Sequence, residues 1–239
     1  MPTPYPGLAT IGSTETGDLL LINLTRVPAL LLDDTPDHIT EVCISLALEL
    51  GMSPWASNVE IITLGFGEEL PGLLPTARIA HMRHATHALR DLSERLLEAQ
   101  QLLDTSHQPY LLLCASTLDS DTAWALANII DRSTTVPVTL IALARTAATH
   151  FPDAEILDAS LGTPQLLNSV GTTITVQRLE RAAYQQITDA STLSAQSATL
   201  PRGAGRRFRA SPTGCRRSKP LRQCPRPRLS PTMPPRALR

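Results

Sequence analysis

Over the first two hundred residues, short unbroken apolar blocks alternate with longer segments in which apolar side chains return every three or four positions. That alternation predicts strands interleaved with helices. Residues 59–66 (VEIITLGF), 110–115 (YLLLCA) and 136–144 (VPVTLIALA) are nearly all apolar, as central strands covered on both faces should be. Ile39, Val42, Cys43, Leu46, Ala47 and Leu50 mark one face of a helix, with Thr35 as its cap, Pro36 at its first position, Asp37 favouring the dipole and Gly51 as its end. A second helix carries Ala85, Leu89, Leu92, Leu96, Ala99 and Leu103 inward, and pairs Asp91 with Arg95 and Arg90 with Glu94 at i,i+4. Ser120 caps a third over residues 121–130, and a fourth covers 179–194. Residues 8–12 and 18–24 flank a polar turn and predict a hairpin opening the sheet. Residues 77–82 form a short strand, and the more polar 155–159 and 172–176 form edge strands.

The fold class that follows is α/β, a largely parallel (mixed) sheet flanked by helices in a Rossmann-like three-layer arrangement over residues 1–198. The pattern stops there. Residues 199–239 are Arg, Pro, Ser and Gly with few apolar side chains, which predicts a disordered basic tail. Charge divides at the same place. All 22 Asp and Glu precede Pro201 and 12 of the 21 Lys and Arg follow it, so a body of charge −13 meets a tail of +12. Aromatics are only 3% of the chain, so the core is aliphatic and there is no platform on which bases or sugars stack.

Several chemistries are excluded by one absence: the only lysine is Lys219, in the tail. A Walker phosphate loop, a phosphoacceptor receiver and a Schiff-base enzyme each depend on a lysine. Cys43 and Cys114 sit in apolar runs and Cys215 and Cys224 in the tail, with no zinc spacing and no disulfide framework. The N-terminus lacks the basic start and apolar core of a secretion signal, and no apolar stretch reaches the ~18 residues of a membrane span. A cytoplasmic chain without membrane insertion is expected.

Candidate sites are sparse. Gly65, Phe66 and Gly67 stand where a doubly wound sheet places a ligand or partner loop, at the carboxyl end of a strand. That loop lacks the third glycine of a dinucleotide fingerprint, and Glu68 and Glu69 beside it repel phosphate. His81, His84 and His87 recur every three residues, but no cysteine or carboxylate completes a zinc set, so they are read as surface or capping residues. Cys114 ends a buried strand without a G-x-S-x-G elbow or a marked base and is read as core. Asp33 with Asp34, and Asp119 with Asp121, either meet at a cation or cap the helices they precede. No catalytic residue, metal or cofactor is assigned. In the tail, Arg206, Arg207, Arg209, Arg216, Arg217 and Lys219 are candidates for non-specific nucleic-acid contact by counterion release. An Arg/Pro/Ala/Gly mixture without acids is also what a GC-rich gene yields in a shifted frame, so the natural frame is expected to be lost near Ala198.

Tyr5, Pro6, Gly7 and Leu8, then Leu48, Glu49 and Leu50, Ser53, Pro54 and Trp55, and the strand through Gly65, Phe66 and Gly67 carry a family resemblance. Gln177, Arg178, Leu179 and Tyr184 extend it to about residue 195. This order of words resembles the central region of large actinobacterial regulatory proteins that join membrane helices and a LysM module to a C-terminal bacterial transcriptional activator (BTAD) domain. The resemblance implies a non-enzymatic cytoplasmic regulatory or interaction segment, whose partners are another protein or the remaining domains of a larger regulator, and a gene fragment. Two other readings stay open: a small-molecule enzyme of Rossmann-like fold using the loops after Phe66 and Ala115, and a nucleic-acid binder working through residues 201–239.

Overall fold

Apolar blocks of four to six residues are too short for helices and too continuous for one-sided strands, and they assemble into a sheet buried on both faces. The computed structural model describes residues 5–101 and 107–195, which lie in one compact unit, Met1–Ser197. In chain order the elements are β1 (Leu8–Ser13), β2 (Leu19–Asn23), β3 (Ala29–Asp33), α1 (Pro36–Met52), β4 (Glu60–Leu64), the single turn α2 (Leu70–Leu73), β5 (Ile79–Met82) and α3 (Ala85–Gln101). After these come β6 (Tyr110–Cys114), α4 (Ser120–Arg132), β7 (Val138–Leu143), the single turn α5 (Ala144–Ala147), β8 (Glu155–Asp158), β9 (Gln165–Leu167), β10 (Thr172–Val176) and α6 (Arg181–Ala195). Six strands, in the order β5-β4-β6-β7-β3-β8, form one sheet. Every pairing in it is parallel. The α/β, Rossmann-like arrangement is therefore realised with a purely parallel central layer.

The pleat sorts side chains strictly between the two faces. Leu30, Leu32, Ile61, Leu111, Leu113, Ile141 and Leu143 enter one core with α1. Ala29, Leu31, Ile62, Leu64, Leu112, Cys114, Leu140 and Ala142 enter the other with Ala88, Leu92 and Ala99 of α3 and Ala123 and Leu126 of α4. Each fully buried leucine contributes on the order of 1.5–3 kcal/mol, so both faces hold the sheet together.

Several expectations need correction. The N-terminal hairpin does not open the main sheet: β1 and β2 join β10 and β9 in a separate four-stranded sheet, in the order β2-β1-β10-β9. All its pairings are antiparallel, and β10 is interior, not an edge. The same sheet explains the second correction. A helix with one apolar face should leave the other wet, yet nine of the seventeen residues of α1 are buried, Ile44, Ser45 and Leu48 among them. The small sheet covers the side that the large one leaves open. The Glu49 carboxylate fixes it there by accepting from the Thr10 amide at 3.0 Å and the Thr10 hydroxyl at 2.8 Å.

Thr35 caps α1 and Pro36 opens it, but Gly51 lies inside its last turn and Ser53 ends it. Gly51 is small for a packing reason, since a Cβ there would stand 2.7 Å from Leu74 Cδ1 and 2.9 Å from Ile79 Cδ1. The cap of α4 is Asp119, whose carboxylate accepts from the Thr122 amide at 2.8 Å and the Thr122 hydroxyl at 2.7 Å; Ser120 is the first helical residue. Two strands escape the periodicity altogether. β3 continues an apolar run with neither period, and β9 is three residues long.

Candidate functional site

In a parallel sheet the strand-to-helix connections all emerge at the carboxyl edge, where ligands of such folds bind. Here that edge carries residues 34–35 after β3, residues 65–69 after β4 and residues 115–119 after β6. The glycines of the second loop are there for geometry. Gly65 and Gly67 have φ of +80° and +73°, values that disfavour any side chain. A Cβ on Gly65 would also lie 2.8 Å from Ser116 Cβ, so the loops after β4 and β6 are in contact. Phe66 between them turns inward and is 8% exposed.

The polar groups of this loop are engaged within the fold. His81 Nδ1 lies 3.0 Å from the Phe66 carbonyl and 3.2 Å from Thr63 Oγ1. Glu68 pairs with Arg83 at 2.9 Å. The Tyr184 hydroxyl of α6 donates to Glu69, and burial, reinforced by that carboxylate, pushes the phenol above its ordinary range. His84 and His87 meet edge to face at 5.4 Å between ring centres. Among the described residues, no three His, Cys, Asp or Glu side chains gather as a metal site would require. Cys114 is fully buried, its Sγ donates to the Ser116 carbonyl at 3.2 Å, and burial raises its thiol pKa. A thiol so held is a poor nucleophile.

The start of α1 is equally closed. The Asp34 carboxylate contacts His38 Nδ1 at 2.6 Å and accepts from the Thr35 amide. The His38 hydrogen bond, aided by that amide and by the charge of Arg178, holds the Asp34 carboxyl below the ordinary aspartate range. Behind it, Arg178 Nε lies 3.5 Å from Glu41 Oε2 and its guanidinium donates to the Ala159 carbonyl at 3.0 Å. Glu41 also accepts from the Arg181 amide at 3.2 Å. The sequence reading singled out neither Glu41 nor His38. The available signal was scarcity, since Arg178 is one of nine cations in an acidic body. Asp119 is a cap, and among the described residues neither it nor Asp34 belongs to a cluster of three or more His, Cys, Asp or Glu that could hold a metal ion. The tail residues Arg206, Arg207, Arg209, Arg216, Arg217 and Lys219 lie outside the described residues.

Both depressed carboxyls make a prediction about acid. Asp34 is lowered by His38, and Asp119 by the Thr122 amide. Protons therefore bind the unfolded chain first, and the stability these groups give is present above the ordinary value of 3.8 and lost as pH falls through their lower folded values. Urea midpoints should decline between roughly pH 4 and 2, and less steeply in an Asp34→Asn/Asp119→Asn protein. Parallel slopes in the two proteins would count against this assignment.

No family profile and no curated protein matches this chain. Solved structures do. ATPases 2 and 3 of Thermomonospora curvata EccC, solved in complex with a signal sequence peptide, match at TM-score 0.54 and 12% identity over 74% of this chain and 41% of that one. The cytoplasmic domain of the Type VII secretion ATPase EccC of the same organism matches at TM-score 0.51 and 10% identity, over 73% of this chain and 26% of that one. ATPases 2 and 3 of EssC from Geobacillus thermodenitrificans match at 0.48 and 14%, over 73% and 42%. This chain thus spans less than half of each of these proteins, and at 10–12% identity its likeness to the two EccC structures is one of fold. LysM and BTAD regulators are not among these neighbours. Among the described residues no helix is long and apolar enough to cross a membrane.

Proposed function

We propose that residues 5–195 are a non-catalytic regulatory or interaction domain: an ATPase fold without a nucleotide site. One observation carries this reading, the connection from β3 to α1. A phosphate loop runs from a strand through glycines and a lysine into a helix whose first amides hold the phosphates. Here the whole connection is Asp34 and Thr35. The Thr35 hydroxyl accepts from the His38 amide at 3.4 Å, and the Asp34 carboxylate puts negative charge where a triphosphate would bring its own. No other strand-to-helix connection in the body offers a lysine, and the one after β4 presents Glu68 and Glu69. The residues present do not fit a nucleotide.

The resemblance to the segment preceding a BTAD domain supplies the setting, a cytoplasmic module contacting the other domains of a regulator or a separate protein. Titration with ATP and Mg²⁺ should give no saturable binding up to about 1 mM, the limit of weak specific affinity. Micromolar binding, or hydrolysis that tracks the protein through purification, would overturn the reading.

The charge division favours a second activity, carried by residues 201–239. Twelve cations without an acid bind nucleic acid through counterion release, with affinity falling steeply as salt rises. Deleting the segment should abolish salt-sensitive retention on DNA, and retention that survives the deletion would place it elsewhere.

A further inference from the structure

The geometry points to a peptide-binding groove at the amino edge of the parallel sheet, accepting a segment that presents an apolar anchor beside an arginine or lysine. The groove is open to solvent along one side and has a volume of about 770 Å³, within the range of sites that take specific ligands. One wall is the face of α4 formed by Trp124, Ala127 and Asp131, spaced at i, i+3 and i+7. Facing them is the connection into β8, with Phe151 and Asp153, and the floor is the start of β3. The loops described above leave the opposite ends of these strands, so the inference stands whether or not the domain binds nucleotide.

Three observations select the occupant. Trp124 is 61% exposed although tryptophan is scarce in this chain, which has only two. Trp is also the side chain most often found carrying binding energy at interfaces, and its ring face attracts cations. Phe151 lines the facing wall although it is only 9% exposed, so that wall offers an apolar patch to a side chain entering the groove. The charges that line the groove are the exposed carboxylates of Asp131 and Asp153, and neither has a hydrogen-bond or ion-pair partner among the described residues. No arginine or lysine lines it. An apolar anchor would seat against Phe151, Ala127 and the Trp124 ring while its cationic neighbour is drawn to the carboxylates of Asp131 and Asp153.

The test uses the full 239-residue chain and a random twelve-residue peptide library displayed on phage. Enriched peptides should carry Arg or Lys within four positions of a large apolar residue. The best of them, synthesised with a fluorophore, should lose at least tenfold in affinity on Trp124→Ala and on Asp131→Asn/Asp153→Asn. Loss should stay below twofold on Glu15→Gln/Glu98→Gln, which removes the same charge elsewhere. All these positions are exposed, and unchanged melting curves will show that the variants fold. Equal losses in the two double variants would reduce the effect to the net acidity of the body. Absence of enrichment over protein-free beads, or binding of free arginine amide as tight as that of the peptide, would also overturn the proposal, the last in favour of a small cation site.

Discussion

An Arg178→Ala protein is expected to unfold with about 3 kcal/mol less free energy than the parent, the low end of the cost of breaking a buried ion pair by removing one partner. The arginine side chain is 6% exposed and its Glu41 partner 17%, so water cannot replace the lost contacts at either end. Truncation strands the Glu41 carboxylate and deprives the Ala159 carbonyl of its donor. It also removes one of the charges that keep Asp34 ionised. The same physics makes the double replacement informative. Arg178→Met/Glu41→Met removes both charges while keeping apolar volume, and should recover most of the loss because neither ion is left uncompensated. Urea unfolding of the two singles and the double closes the cycle. A single-variant cost below about 1 kcal/mol would show that the pair is well solvated, and a double as unstable as the single would show that the arginine acts through packing alone.

That pair also marks the limit of what could be read along the chain. Its partners are 137 positions apart, and Tyr184 lies 115 positions from Glu69, so no window of local pattern contains either contact. Much was legible: β4, β6 and β7 as continuous apolar runs, α1 and α3 as stripes, the cap of α1 as Thr-Pro-Asp. β3 was not: Leu30, Leu31 and Leu32 face two cores in alternation as those strands do, but their run follows the apolar residues of β2 after only a few positions and merges with them. The full burial of α1 was hidden for a related reason. Its second cover is a sheet assembled from the first and last strands of the domain, a tertiary fact that no helical periodicity encodes. The likeness to ATPases escaped notice because the residues that announce such a fold, a glycine-rich loop and its lysine, are the ones this chain lacks. What remained was the generic alternation of strand and helix, which many functions share. The groove on α4 was invisible too, being built from segments around residues 28, 124–131 and 149–154.

Gly65→Val should cost about 3 kcal/mol, by two separable routes. A β-branched residue held at φ +80° costs on the order of 1–3 kcal/mol, because its Cβ crowds its own carbonyl. The new Cβ would stand 2.8 Å from Ser116 Cβ and 3.1 Å from the Ser116 amide, and crowding of that kind costs a further 1–3 kcal/mol or so. Gly65→Asn keeps the crowding but tolerates the left-handed backbone, so it should recover part of the loss. Ser116→Gly placed beside Gly65→Ala should relieve the Cβ–Cβ contact and leave behind the backbone cost and the approach to the residue-116 amide. Chemical denaturation of these three variants and the parent separates the two contributions. A Gly65→Val protein within about 0.5 kcal/mol of the parent would mean that the loop after β4 relaxes freely, against the pinning by Phe66, Ser116 and Tyr184. The expected result has a functional edge. A loop whose glycines are required by its own fold needs no ligand to explain them, and any partner at this edge must then be met by Glu68 and the surface around it, not by the glycines.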